Sequence, residues 1–437
     1  MSSAPSAAGR LLRRLHARRG ALSLLTAAAG LALARPRDKG APYAAPFDRW
    51  NRELKEHGPG RPVLLLDLDA LDQNLATVRR LVSTGLALRV VAKSLPSAPL
   101  LRYVQSRLET QKLMVFDDSL TTVATEFPES DILLGKPLPV RAVASYYERA
   151  PRREHGAPGE RIAWLVDSPE RLTQYASLAR GLGVRMRIVI EIDVGLHRGG
   201  VASPEGLTPL LDLIARDPAH LSFAGLMGYD AHVTSAPPVL ASPERALGEV
   251  IARYRAFEQA LFARDPAWLA PGVILNGAGS KTYSSYSADS PINEVSLGSA
   301  LVMPTDFDVP SLAGHRPAVF IAAPVLKRLP GPRVPFLSFA ERPWRAWNPN
   351  RELTYFLFGG GWLATPVSPS GLMSNPVYGF STNQSMLTGS TRTDLAPDDH
   401  VFFRPTQSER VMQEVGPIHC VRDGHIVDRW GVFSLSE

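Results

Sequence analysis

From about residue 61 the chain alternates two hydrophobic patterns. Short apolar runs occupy Val63–Leu68, Leu88–Ala92, Lys112–Phe116, Asp131–Leu134, Ile162–Val166, Val184–Ile192, Leu221–Gly228, Val273–Asn276 and Glu294–Leu297. Nearly continuous runs of this kind predict strands buried on both faces. Between them apolar residues recur at helical spacing. Leu71, Leu75, Val78 and Val82 form one face behind a capping candidate at Asp69, and Leu172, Tyr175 and Leu178 form another behind Ser168. Strands alternating with helices imply parallel pairing through right-handed crossovers. With the first strand set aside, eight remain between Leu88 and Leu297, the count of a (β/α)8 barrel of the TIM type. An open doubly wound sheet is the competing class, but no G-x-G-x-x-G opens the first strand–helix turn.

After about residue 310 prolines cluster, and short runs follow at Ala318–Leu326, Leu353–Phe358, His400–Phe403, Ile418–Val421 and Ile426–Val432. Turn residues such as Gly359-Gly360-Gly361 and Asp423-Gly424 separate them, which reads as an antiparallel β domain. The expected organisation is a leader and linker over 1–45, a barrel over 46–310 whose first strand could join the other domain, and a C-terminal β domain over 311–437.

Composition narrows the class. The chain has 437 residues, 45% hydrophobic and 21% charged, enough apolar content for a large core. A single cysteine excludes an internal disulfide framework and a multi-cysteine zinc module. The formal net charge of +6 first suggests a nucleic-acid binder. Its location argues otherwise: residues 1–40 hold eight bases and one acid, and the other 397 hold 40 bases and 41 acids. The near-neutral body predicts no nucleic-acid partner. Arg10 to Arg19 precede the apolar run Ala21 to Ala34, which ends in Ala32-Leu33-Ala34 and has the shape of a secretory signal. The run is too short for a normal membrane span. Arg18-Arg19 gives it a twin-arginine look, so export to the periplasm is the expected address, with a cytoplasmic enzyme as the alternative.

In a barrel, chemistry collects at the C-terminal ends of strands. Lys93 directly follows a buried strand, where desolvation favours a neutral amine fit for Schiff-base formation; an ordinary solvated lysine is the plainer reading. Glu191, Asp193 and Arg198 punctuate the next unusual strand end, either as a structural ion pair or with Arg198 as a donor to a ring nitrogen or an anion. Tyr229 and His232 are acid–base candidates. Asn276 to Tyr283, read as NGAGSKTY, offers a backbone-amide nest for a phosphate, extended by Gly298 and Ser299. An amine nucleophile, a ring-nitrogen partner, proton carriers and a phosphate cup together suit pyridoxal phosphate.

The stretches LLLDLDALDQNLATV, LRVVAKSLP, VIEIDVGLHRGGV, FAGLMGYDAH, ILNGAGSKTY, NEVSLGSALVM and GHIVDRWGVF, in this order, resemble the fold-type III pyridoxal-phosphate enzymes. The likeness is to the D-threonine aldolase and D-serine dehydratase group, with an alanine racemase-type barrel, and runs from about Pro62 to Trp430. The resemblance implies that Lys93 holds the cofactor, that Arg198 faces the pyridine nitrogen and that Tyr229 lies beside the phenolic oxygen. It places Gly277, Gly279, Ser280, Thr282, Gly298 and Ser299 at the phosphate. His232 falls where the group shows a Gly-His pair, here Ala231-His232. It also implies a homodimer. Metal-dependent members carry His-x-Cys or His-x-Asp near the C-terminus, where this chain has Gln407 and Glu409. Loss of imidazole and thiolate argues against zinc and leaves an oxygen-donor site for magnesium or manganese as the remaining metal reading. The expected function is a lyase acting on small D-amino acids. The alternatives are an amino acid racemase and, outside enzymes, a cofactor carrier, against which the long C-terminal β domain speaks.

Overall fold

A computed structural model describes residues 35–117, 119–149, 161–235, 239, 241–331, 333, 336, 338–375 and 381–433. The leader predicted over residues 1–34 lies outside them. The chain divides into two compact units. One is built on Glu56–Ala322, Trp362–Thr365 and the described residues from Phe403 onward; the other on Ala323–Gly361, Pro366–Phe402 and the described residues up to Lys55.

In chain order the strands are β1 (Val63–Asp67), β2 (Ala87–Val91), β3 (Lys112–Val115), β4 (Asp131–Leu134), β5 (Ile162–Val166), β6 (Met186–Glu191), β7 (Leu221–Met227), β8 (Ile274–Gly277) and β9 (Glu294–Leu297). They continue with β10 (Val319–Pro330), β11 (Leu353–Leu357), β12 (Ala364–Ser368), β13 (Met373–Ser374), β14 (Met386–Gly389), β15 (His400–Pro405), β16 (Ile418–Arg422) and β17 (His425–Trp430). In the first unit β2 to β9 close into a parallel eight-stranded barrel, β2 pairing with β9. This is the architecture the alternating pattern predicts. β5 is buried along its whole length, as a barrel strand covered by helices must be.

The helices follow the spacing read from sequence, with one correction. The cap of the helix Leu68–Leu81 is Asp67, the last residue of β1, and not Asp69: its carboxylate accepts from the Asp69 and Ala70 amides at 3.0 and 3.1 Å. Asp69 sits in the first turn, where its charge meets the helix dipole. Ser168 does cap the helix Pro169–Leu182, accepting from the Arg171 amide at 3.3 Å, and Gly183 ends it in a left-handed conformation.

β1 stays outside the barrel. It pairs antiparallel with the first residues of β10 and parallel with β16, which in turn pairs antiparallel with β17. A parallel ladder in this layer departs from the purely antiparallel expectation. The two strands are about 350 residues apart and share no hairpin turn, so nothing local forces them antiparallel. In the second unit the later part of β10 pairs with β11, β11 with β14 and β14 with β13, all antiparallel. Phe47, Trp50 and Phe402 stack at 5.0 to 6.0 Å in its core.

A buried ion network spans the barrel. Arg89 of β2 is fully buried and forks onto Glu294 of β9 at 2.6 and 2.9 Å. It also donates to the Leu113 and Asp131 carbonyls at 3.0 and 2.9 Å and to the Asp131 carboxylate at 3.2 Å. Reaching from β9 past β3 to β4, its guanidinium must point into the barrel. Lys112 lies 3.0 Å from Glu294, and Asn276 donates to Glu294 at 2.9 Å and to Ser296 at 2.8 Å. Burial pushes the Glu294 carboxyl up, but Arg89 and Lys112 pull it below the usual carboxylate range.

Candidate active site

The C-terminal ends of β2, β3, β6, β7, β8 and β9 open on a cavity of about 140 Å³. Lys93 enters it from a short turn, Ala92–Ser94, that follows β2. Its Nζ lies 2.8 Å from the Glu409 carboxylate and 4.5 Å from the centre of the Phe116 ring. Glu409 comes from the helix Ser408–Glu414, whose entry is held by two contacts of preceding residues. Arg404 forks onto Asp308, and Gln407 donates to Asp306 at 3.0 Å. Gln407 and Glu409 are thus committed to different partners. Among the described residues no three His, Cys, Asp or Glu side chains gather as metal ligands.

Arg198 lines the same cavity, its guanidinium 4.9 Å from the centre of the Tyr229 ring. The loop that carries it is pinned by Asp193, which accepts from the Gly195 and His197 amides at 2.9 and 3.0 Å and pairs with the His197 ring at 2.6 Å. Burial raises the Glu191 carboxyl, with Arg198 opposing. Asp193 therefore shapes the loop, and Arg198 is the member of this motif that faces the cavity. Burial, reinforced by Asp230, raises the Tyr229 phenol, so Tyr229 keeps its proton at neutral pH.

Of the phosphate candidates, Gly279, Ser280, Gly298 and Ser299 line the cavity, whereas Gly277 and Thr282 do not. The Gly298 and Ala300 amides both donate to the Ser280 hydroxyl, at 3.0 and 3.1 Å. Two N–H groups converging on one oxygen are the geometry an anion needs. Space is tight here: a Cβ at Gly279 would lie 2.9 Å from the Tyr229 ring, and one at Gly298 would lie 2.8 Å from Ser94 Cβ and 2.9 Å from the Val91 carbonyl. Ala278 holds φ of 65°, a left-handed conformation that a non-glycine residue adopts only where the surroundings impose it. Thr282 is instead buried against Asp230.

His232 is not brought to the cavity. The chain turns at Asp230 into the short helix Ala231–Thr234, which carries the imidazole towards Gly195. Its Nδ1 is buried without a hydrogen-bond partner, and burial lowers its proton affinity. Tyr229, three residues before it, takes the cavity position. Sequence reasoning missed Phe116, Glu409 as the partner of Lys93, and Asp230. Only Asp230 left a signal, as a lone carboxylate directly after a strand.

A family model described as the alanine racemase N-terminal domain matches residues 66–306, more than half of the chain. The chain belongs to that family. Among curated proteins, 3-hydroxy-D-aspartate aldolase of Paracoccus denitrificans is 24% identical over 250 residues, which cover 56% of this chain and 61% of the relative. The match thus spans about three fifths of that relative's length. D-threonine aldolase from Filomicrobium marinum superposes with a TM-score of 0.65 at 18% identity, over 85% of this chain and 96% of that one. Alanine racemase of Clostridium difficile 630 superposes at 0.63 and 14% identity, over 84% of this chain and 98% of that one. This chain and these structural neighbours share the barrel with an added sheet. The family implies pyridoxal phosphate, and the residues present fit it. A lysine stands at the mouth, a guanidinium lines the cavity, and the Gly298 and Ala300 amides converge on one oxygen beside it.

Proposed function

We propose that the protein is a pyridoxal-phosphate enzyme that breaks a bond at Cα or Cβ of small D-amino acids, a lyase of the aldolase or dehydratase kind. The observation that carries this is the placement of Lys93, Arg198, Tyr229 and the Gly279–Ser280/Gly298–Ser299 cup around one cavity. The curated relative's name, a D-amino acid aldolase, supports the substrate class.

When bound, the cofactor supplies an electron sink for the pair left at Cα. Lys93 Nζ would be the amine that holds the cofactor, and the Glu409 carboxylate pairs with it at 2.8 Å. Arg198 would face the ring nitrogen as a donor and, as a guanidinium, would keep its protons. Tyr229, kept protonated by burial, donates beside the ring and takes no proton from substrate. With His232 outside the cavity, Lys93 Nζ would be the group left to carry protons at Cα. Phe116 narrows access of water to Nζ. Cavity residues also line a wider basin of about 790 Å³, with room for a small substrate.

An amino acid racemase is the second reading, favoured by the family match itself. The proposal extends to a homodimer and to export directed by residues 1–34. Among the described residues no helix is long and apolar enough to cross a membrane.

The test is the visible spectrum of the purified protein with pyridoxal phosphate, for wild type and Lys93→Ala, followed by addition of D-threonine, D-serine, D-alanine and their L-forms. A cofactor band that requires Lys93 and is perturbed by D-β-hydroxy amino acids, with aldehyde or ammonia released, is expected. A wild-type protein without the band would sink the cofactor assignment; interconversion of enantiomers alone would move it to the racemases.

A further inference from the structure

Asp230 is a buried carboxylate with no role in the chemistry above. It is fully buried, directly follows Tyr229, and has no Lys, Arg or His within ion-pair distance among the described residues. A charge without a cation is costly to bury, so the fold must gain something from keeping it. Both oxygens are used. Oδ1 accepts from the Thr282 hydroxyl at 2.9 Å and Oδ2 from the Tyr286 hydroxyl at 2.7 Å. Thr282 Oγ1 in turn accepts from the Gly279 amide at 3.0 Å. The polarity of this chain is fixed, because an ionised carboxylate only accepts and so orients both hydroxyls. It ties the two ends of the loop after β8 to the exit of β7. Ser280, the hydroxyl on which the Gly298 and Ala300 amides converge, lies between Gly279 and Thr282, and Ala278 in its left-handed conformation directly precedes Gly279.

We propose that Asp230 is a positioning residue which, through Thr282 and Tyr286, locks the loop Gly277–Tyr286 in the shape that accepts the phosphate group of the ligand. The assignment rests on the cofactor reading above. Asp230 touches neither the cavity nor the reacting atoms; it acts on Gly279 through one hydroxyl and on the far end of the loop through the other. Burial raises its carboxyl to about 6, as expected for a group held by two neutral donors and no cation.

A lock on the phosphate cup affects a phosphorylated ligand and spares one without the phosphate. Pyridoxal phosphate and pyridoxal share ring and aldehyde, so their dissociation constants, measured by absorbance on the purified chain, separate the two. Asp230→Ala and Thr282→Val are each expected to weaken pyridoxal phosphate about tenfold, the worth of one net hydrogen bond, and to leave pyridoxal within twofold. Asp230→Asn keeps an acceptor for Thr282 and restores affinity to within about threefold at pH 8. Thr282→Val, nearly the same shape as threonine, carries the comparison if Asp230→Ala does not fold. Equal losses for both ligands, or none for either, overturn the assignment. A wild type that binds neither ligand overturns the cofactor reading itself, and is told apart by failing before any variant is made.

Discussion

Replacing Arg89 by methionine tests the barrel's internal ion network. The substitution keeps much of the side-chain volume but removes five donors, leaving Glu294 buried at 1% exposure with only Lys112 and Asn276 beside it. Breaking a buried pair by removing one partner costs about 3–5 kcal/mol, chiefly the penalty of the stranded charge. The Asp131 and Leu113 carbonyls also lose their donor, which places the loss towards the upper end. At about 2–4 °C per kcal/mol, the melting temperature should fall by roughly 6–20 °C. Circular dichroism melts and urea titrations read this directly. The stranded-charge argument makes a further demand: Glu294→Gln added to Arg89→Met should recover stability, since a neutral amide has no charge left to compensate. A loss under about 1 kcal/mol for Arg89→Met, or a double variant less stable than the single, would refute the reasoning. Because Asn276 and Ser296 join this network to the cavity floor, ligand affinity should fall in Arg89→Met and return in part in the double variant.

Other tests follow from the loop and the glycines. Asp230 has its carboxyl raised from the ordinary 3.8 to about 6, so the folded state binds the proton more tightly than the unfolded one. Stability from this group is therefore highest below pH 3.8 and falls as pH rises through 6, by about 3 kcal/mol at 1.36 kcal/mol per unit. Urea unfolding of wild type against Asp230→Asn should show that difference growing between pH 4 and pH 8; a constant difference would contradict it. Gly298→Ala places a methyl 2.9 Å from the Val91 carbonyl, backbone that cannot swing away, so it should abolish cofactor uptake as seen by absorbance while Gly248→Ala, with open space around it, leaves uptake unchanged.

The barrel was legible because parallel strands covered on both sides leave unbroken apolar runs, as at Ile162–Val166 and Asp131–Leu134, whose bounds match those read from sequence. The positions of Lys93 and the Gly/Ser loops at the cavity were legible because they directly follow barrel strands whose apolar runs mark where each strand ends. The cap was misplaced by two residues since Asp67 and Asp69 have the same chemistry, and only the backbone angle at Asp67, extended at φ −75° and ψ 102°, selects it. Glu409 and Lys93 are more than 300 positions apart, and a contact at that range has no periodicity to reveal it. His232 looked apt by type, but side-chain type says nothing of the short helix that turns it away. The strands β12 to β14 were not predicted, being short or mixed in polarity, with no more pattern than a loop.

The pairing of β1 with β16 bears on how this protein comes into being. Leu64 waits for Ile418, which is synthesised about 350 positions later, so one edge of β1 has no ladder partner during most of translation. A strand with four consecutive apolar residues, Val63 to Leu66, left open in this way is a template for joining another chain. The barrel strands could find one another before then, but the strand that precedes them could not be finished. Ribosome-bound chains ending short of Ile418 should therefore recruit holdase chaperones, and release of the last hairpin is the event that frees them.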